Sequence, residues 1–240
     1  MSSAPRNIVA RETAEGAGAR VKRAFPSYEL RTLDPFVLLD EFFVVPPAGF
    51  PEHPHGGFEI VTYMLEGAFR HWDNLGNDRT IPVGGVQRIT AGRGIRHSEL
   101  PGTDGMNHGL QLWVNLPKRL KSIDPDYQEV LAEEMPELRG EGWAARVIVG
   151  ESSPTRLHTP VLYLDVRLEP GALFRRRLPE GWTVLVYVLE GELSQPEARP
   201  GTLLTLEREV ELGSATAARF ALIAGEPWRE PIRLAGSFVE

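Results

Sequence analysis

The stretch Pro51-Glu52-His53-Pro54-His55-Gly56-Gly57-Phe58-Glu59-Ile60-Val61-Thr62-Tyr63-Met64-Leu65-Glu66-Gly67 decides the architecture. In extended backbone, residues two apart project from one face, so His53 and His55 present two imidazoles to a common point, and Pro54 stiffens the pair. The run over 58–65 is apolar and rich in β-branched and aromatic residues, and it ends at a glycine, as a strand entering a turn does. Its last part, Tyr63-Met64-Leu65-Glu66-Gly67, recurs as Tyr187-Val188-Leu189-Glu190-Gly191, an offset of 124 positions in a chain of 240 residues. An offset near half the chain length predicts two copies of one β-domain.

Working outward, further strands are expected over 36–39, 109–115, 145–149, 161–168, 184–189, 202–206 and 218–223. The 24 glycines and 20 prolines fall between these short runs as turn punctuation rather than in one linker. A single helix is expected over 126–138, with Asp126 as N-cap and Pro136 limiting its end. The halves then run over 1–116 and 143–240, joined by a connecting segment, 117–142, packed on the outside.

Composition narrows the chemistry. With 42% apolar, 8% aromatic and 25% charged residues the chain is an ordinary globular one. The absence of cysteine removes disulfide scaffolds, thiolate nucleophiles, iron–sulfur clusters and cysteine zinc sites, so any metal must rely on His and carboxylates. A formal charge of −7 opposes binding to nucleic-acid backbones or anionic lipid. The opening residues carry no apolar signal-peptide core, and no stretch approaches the ~18 apolar residues of a membrane helix. These features predict a soluble, cytoplasmic protein with no nucleic-acid or membrane partner.

The second informative stretch is Ala91-Gly92-Arg93-Gly94-Ile95-Arg96-His97-Ser98-Glu99-Leu100-Pro101. His97 and Glu99 repeat the two-residue spacing of the first pair. Two such strand-borne pairs, converging inside a small barrel, set three nitrogens and one oxygen around one ion. Carrying the ligands forward by 124 positions lands on Arg177, Pro179, Ala221 and Ile223, and no histidine follows His158, so the second copy cannot repeat the site. It is expected to be structural or a binding surface.

At these residues the sequence resembles the pirins, a branch of the cupin superfamily. The blocks HPHGGFEIVTYMLEG, TAGRGIRHSELPG and HGLQLWVNLP carry the resemblance, with DPFVLLDEF upstream and PDYQ downstream. It implies an all-β bicupin: two jelly-roll-like barrels in one chain, with little helix, and a monomer. It also implies the ligand set His53, His55, His97 and Glu99, with Glu59 left to a supporting or structural place. Gly56 departs from the pattern, since pirins commonly carry arginine there.

Three neutral imidazoles and one carboxylate leave a divalent ion with net charge +1 and up to two open positions if octahedral. That suits Fe(II) or Mn(II), while Ni, Cu or Zn could occupy an isolated sample. The resemblance implies a quercetin 2,3-dioxygenase, an oxidoreductase that opens a flavonol-like enol with O2 and releases carbon monoxide. Glu99 is then the catalytic group, accepting the hydroxyl proton. Phe42, Phe43, Val44, Met64 and Trp113 are candidates for apolar walls. The alternative is a non-catalytic, iron-binding, redox-responsive regulator with a protein partner, whose signature would be a charged patch, and Arg175-Arg176-Arg177 is the compact basic run available.

Other residues are assigned ordinary places. His71 is expected to make a loop hydrogen bond, His108 and Gln111 to stand beside the metal cavity, and His158 to lie at the surface. Ser98 faces away from His97, which removes a Ser-His relay. Gly16-Ala17-Gly18 lacks a dinucleotide fingerprint, and no phosphate-binding glycine loop occurs. Glu133 and Glu134 look solvated.

Overall fold

The computed structural model describes residues 6–194 and 196–240. It is almost entirely β, its helical content among the described residues being the 3-10 turns Lys118–Leu120 and Ala132–Glu134. Among the described residues no helix is long and apolar enough to cross a membrane. The chain forms two compact units whose membership is interleaved: Arg11–Glu134 with Thr155–Thr159 and Trp228–Glu240, and Met1–Ala10 with Met135–Pro154 and Pro160–Pro227. The contiguous halves expected at 1–116 and 143–240 therefore exchange short segments, and the expected connector divides at Met135.

The first unit is a cupin barrel of two sheets. One holds seven strands in the order Asp126–Val130, Val86–Thr90, Phe58–Glu66, Asn107–Asn115, Phe36–Val44, Ala19–Phe25 and Arg11–Glu15. The other holds four, in the order Phe50–His55, Ile95–Pro101, Ala68–Asp73 and Asp78–Pro82. Val21, Phe42, Val44 and Met64 from the first sheet pack with Phe69 and Ile81 from the second. Closing a sheet pair this way leaves inward-facing positions to be filled by side chains or to enclose a site.

The second unit repeats the plan. Its seven-stranded sheet runs Arg6–Val9, Thr202–Leu206, Thr183–Glu190, Ala218–Gly225, Val161–Leu168, Trp143–Val149 and Glu137–Gly140. Leu173–Arg177 pairs with Glu209–Gly213 to cover it. The interior is filled: Phe174, Leu178, Val210 and Leu212 pack against Leu164, Val186, Phe220 and Leu222, all fully or nearly fully buried. The echo at 187–191 thus marks the second barrel, and its apolar interior agrees with the absence of ligands there.

The helix expected over 126–138 is not formed. Asp126–Val130 is a strand on Val86–Thr90, with Asp126 opposite Thr90 and Val130 opposite Val86. Ala132–Glu134 is one 3-10 turn, and Glu137–Gly140 is a strand on Trp143–Val149. An open sheet edge supplied hydrogen bonds and a buried seat for Val130, which outweighs local helix propensity.

Candidate metal centre

The four-stranded sheet positions the chemistry. Its strand Ile95–Pro101 runs between Phe50–His55, which sets His97 opposite His53, and Ala68–Asp73, which sets His97 opposite Asp73 and Glu99 opposite His71. Three pairs with two-residue spacing, His53/His55, His97/Glu99 and His71/Asp73, therefore share one region of sheet.

His53, His55 and His97 converge, each offering a ring nitrogen within 4.8 Å of the others. Their ring centroids stand 4.5 to 4.9 Å apart. His53 Nδ1 bonds the carbonyl of Pro51 at 2.7 Å, and His55 Nδ1 bonds the carbonyl of Ser237 at 3.2 Å. A proton donated to those carbonyls leaves each Nε2 free as a ligand atom. Both ring nitrogens of His97 are buried and lack a hydrogen-bond partner among the described residues. Burial, with the neighbouring His53 ring, lowers His55 to about 3. Burial also lowers His97 well below the usual imidazole range, with the adjacent rings adding to it. This favours neutral rings at His55 and His97, the form that ligates, and a divalent metal fits the cluster.

Glu99 lies in the same cavity but outside the three-histidine group. Its Oε1 accepts from Gln87 Nε2 and from Thr62 Oγ1 at 3.3 Å, and its Oε2 accepts from Gln111 Nε2 at 2.8 Å. The indole N–H of Trp113 donates to Gln111 Oε1 at 3.0 Å, which fixes that amide's orientation. Gln111 does line the cavity, whereas His108 does not: it stacks on Phe43 at 4.4 Å and bonds Glu41 at 2.9 Å.

The cavity beside the histidines has a volume of about 580 Å³. Of the expected walls, Phe42 and Trp113 line it, while Val44 and Met64 belong to the packed core and Phe43 lies beside His108, Arg20 and Lys22. Val21, Leu38 and Phe50 complete the apolar wall, supplied by strands whose inward parity the sequence did not reveal. Opposite in character are Arg23 and Asp40, joined by two hydrogen bonds at 2.9 and 2.6 Å, with Glu15 also on Arg23. Burial pushes Asp40 up to about 6 against the opposing effect of Arg23.

His71 falls differently from expectation. His71 sits on a strand, not in a loop, and is fully buried. Glu59 is fully buried away from the cavity and accepts from Thr90 Oγ1 and from the backbone N–H and Nδ1 of His158, all at 2.9 Å. His158 is exposed, as expected, and its ring is held by Glu59. Gly56, just past the end of the His53/His55 strand, bridges Phe238 of the short hairpin of Leu234–Ala235 and Phe238–Val239. Lys121 ties this region together, donating to Gly57 O, Asn115 Oδ1 and Val239 O at 2.9, 2.7 and 3.1 Å.

Two cupin barrels, one carrying a three-histidine cluster and the other closed by apolar side chains, define a bicupin. Family models agree in both halves: Pirin over residues 18–114 and the Pirin C-terminal cupin domain over 163–240. The chain belongs to the pirin family. It is 42% identical to Pirin of Homo sapiens over 248 residues, covering 97% of this chain and 86% of that one. It also resembles the crystal structure of quercetin 2,3-dioxygenase from Acinetobacter baumannii, with a TM-score of 0.89 at 33% identity, covering 98% of this chain and 90% of that one. The bacterial pirin YhhW of Escherichia coli, solved with nickel(II), shares the fold with a TM-score of 0.78 at 20% identity, over 93% of this chain and 99% of that one.

Proposed function

We propose that this protein is a metal-dependent dioxygenase of the quercetin 2,3-dioxygenase type, acting on a planar enol such as a flavonol. The observation that carries this reading is the convergence of His53, His55 and His97 at the edge of an aromatic-walled cavity of about 580 Å³. That volume lies in the range of small-molecule sites. The likeness to the Acinetobacter baumannii quercetin 2,3-dioxygenase supports it.

In this reading His53, His55, His97 and Glu99 hold the ion. A divalent iron there would supply a redox-active Lewis acid for O2 chemistry. Glu99 accepts the proton of the substrate's enol hydroxyl, and the donors Gln87, Gln111 and Thr62 keep its carboxylate aimed at the cavity. Phe42 and Trp113 hold the rings of the substrate, while apolar burial excludes water from the reacting face.

The regulatory alternative asks for a charged patch. Arg175 pairs with Glu211 at 2.8 Å and Arg177 with Glu209 at 3.8 Å, so two members of the basic run are neutralised within their own hairpin. No observation on the surface carries that alternative ahead of catalysis.

The test is anaerobic loading with Fe(II), followed by O2 uptake and loss of flavonol absorbance with quercetin. Turnover in the wild type that disappears in Glu99→Ala and His97→Ala supports the assignment. Stoichiometric iron bound through the histidines without turnover would remove the flavonol reaction and leave the metal centre.

A further inference from the structure

We infer that His71, backed by Asp73, is a positioning residue for His97: its Nδ1 accepts the ring proton that His97 carries when its other nitrogen faces the metal. The inference rests on the metal-centre reading above and assigns a role to residues outside the ligand set.

The three clustered histidines are not equivalent. His53 and His55 each have one ring nitrogen on a backbone carbonyl. His97 has none, although both its nitrogens are buried. A neutral imidazole keeps one N–H, and when one nitrogen ligates, that proton sits on the other. Leaving it buried without an acceptor is destabilising, and metal-bound histidines ordinarily pass this proton to an outer acceptor.

His71 offers the missing acceptor. Its ring is fully buried, its centroid is 5.5 Å from that of His97, and its Nδ1 is also buried without a partner. At that separation two ring nitrogens turned toward each other along the line of centroids stand within hydrogen-bonding reach. The remaining nitrogen, Nε2, is committed to Asp73 Oδ2 at 2.9 Å. When Nε2 carries the proton, Nδ1 presents a bare lone pair. Asp73 is itself anchored, accepting from the N–H of Leu75, the N–H of Asn77 and Asn77 Nδ2 at 2.9, 3.1 and 2.8 Å. Burial would raise its carboxyl, yet the bonds from His71 and Asn77 outweigh that and hold it below the usual range. Tyr127 stacks on His71 at 4.4 Å with an interplanar angle of 14°, fixing the ring plane. The register that sets His97 opposite Asp73 makes this arrangement a property of the sheet.

The test compares wild type, His71→Phe, His71→Gln and His97→Ala, using Co(II) as the probe. The readouts are its dissociation constant, its ligand-field absorption spectrum, and the unfolding of the metal-free proteins. His71→Phe keeps the stack on Tyr127 but has no acceptor, and its Co(II) affinity is expected to fall about 10- to 100-fold with an altered spectrum. His71→Gln retains an acceptor oxygen and is expected to recover part of the affinity. On the wild type loaded with Zn(II), 15N-resolved imidazole NMR is expected to show a protected His97 ring N–H and an unprotonated His71 Nδ1, a readout that needs no variant to fold. Wild-type affinity and spectrum in His71→Phe, or a protonated His71 Nδ1 in the loaded wild type, would overturn the inference. Loss of the metal-centre reading looks different: Co(II) would fail to bind the wild type, or would bind His97→Ala equally well.

Discussion

Gln111 donates its amide N–H to Glu99 Oε2 at 2.8 Å while its own carbonyl is held by the Trp113 indole at 3.0 Å. Amide orientation, which is otherwise ambiguous in a glutamine, is decided here because an indole can only donate. Glu99 thereby receives donors on both oxygens inside a nearly closed site. Gln111→Leu leaves Oε2 without its amide donor, and unfolding in urea is expected to show a loss of about 1.5–3 kcal/mol, the range for hydrogen bonds to charged groups. Trp113→Phe keeps an aromatic ring beside Phe58 but removes the indole donor and part of the ring volume, so its loss combines about 0.5–1.5 kcal/mol for the hydrogen bond with the cost of the cavity left behind. Equal stability of Gln111→Leu and wild type would show that the amide does not hold the carboxylate.

Much of this site was legible because strand geometry is written with a period of two. His53/His55 and His97/Glu99 each stand on one face for that reason: His53, His55 and Glu99 line the cavity, and His97 converges with the two histidines. His71/Asp73 obeys the same spacing but follows the Gly67 turn, so the stretch reads as a loop where the structure has a strand. The parity of Phe42 against Phe43 was beyond sequence, since both sit in a strand buried along nearly all its length. Ser237 was beyond it for another reason: its carbonyl reaches His55 across 182 residues of chain, and no local pattern encodes such a contact. At 126–138 a helix-compatible segment took the nearest open sheet edge instead.

Metal should stabilise the protein by mass action, because the three nitrogens converge only in the folded barrel. Protein stripped with a chelator and then given Co(II) at a hundredfold excess over its dissociation constant is expected to gain about 2.7 kcal/mol. Thermal unfolding with and without metal reads this directly. The gain should vanish in His53→Ala or His97→Ala and survive in His108→Ala, whose ring is engaged with Glu41 and Phe43 instead. A shift that persists without His97 would place the ion elsewhere.

The pair of His158 and Glu59 links stability to pH. The hydrogen bond to Glu59 raises His158 above its ordinary value, with burial opposing, and Arg88 and Asp126 exert smaller, opposite effects. A group raised in the folded state contributes stability that is fully present below its unfolded value and is lost as pH rises through its folded value. The stability difference between wild type and His158→Ala is therefore expected to be largest below the ordinary imidazole value of about 6.5 and to shrink as pH rises above it. Since the imidazole is half exposed, solvent screening keeps the effect small. The backbone N–H of residue 158 still bonds Glu59 in the variant, which keeps the segment in place. A difference that grows with pH would reverse the assigned sign.

Adjacent glycines at the HxH strand give a contrasting pair of outcomes. Gly57 has a φ of +87°, and a Cβ there would lie 2.0 Å from the Val239 carbonyl oxygen. Gly57→Ala thus meets both an unfavourable backbone conformation and a backbone clash, which only withdrawal of the terminal hairpin relieves. That hairpin carries Ser237, the acceptor for His55, and its Val239 carbonyl is an acceptor for Lys121. A loss of about 1–3 kcal/mol is expected, together with faster proteolysis within residues 234–240. At Gly56 the obstacle is softer: a Cβ would meet the Phe238 ring at 2.8 Å, and that ring is 41% exposed and free to swing outward. Gly56→Arg, which restores the arginine common in pirins, is therefore expected to cost less than Gly57→Ala in urea unfolding. Because Gly56 does not line the histidine cavity, Co(II) affinity should stay close to wild type in Gly56→Arg and fall in Gly57→Ala. The reverse order of the two affinities would mean that the arginine position, rather than the hairpin, governs the ligands.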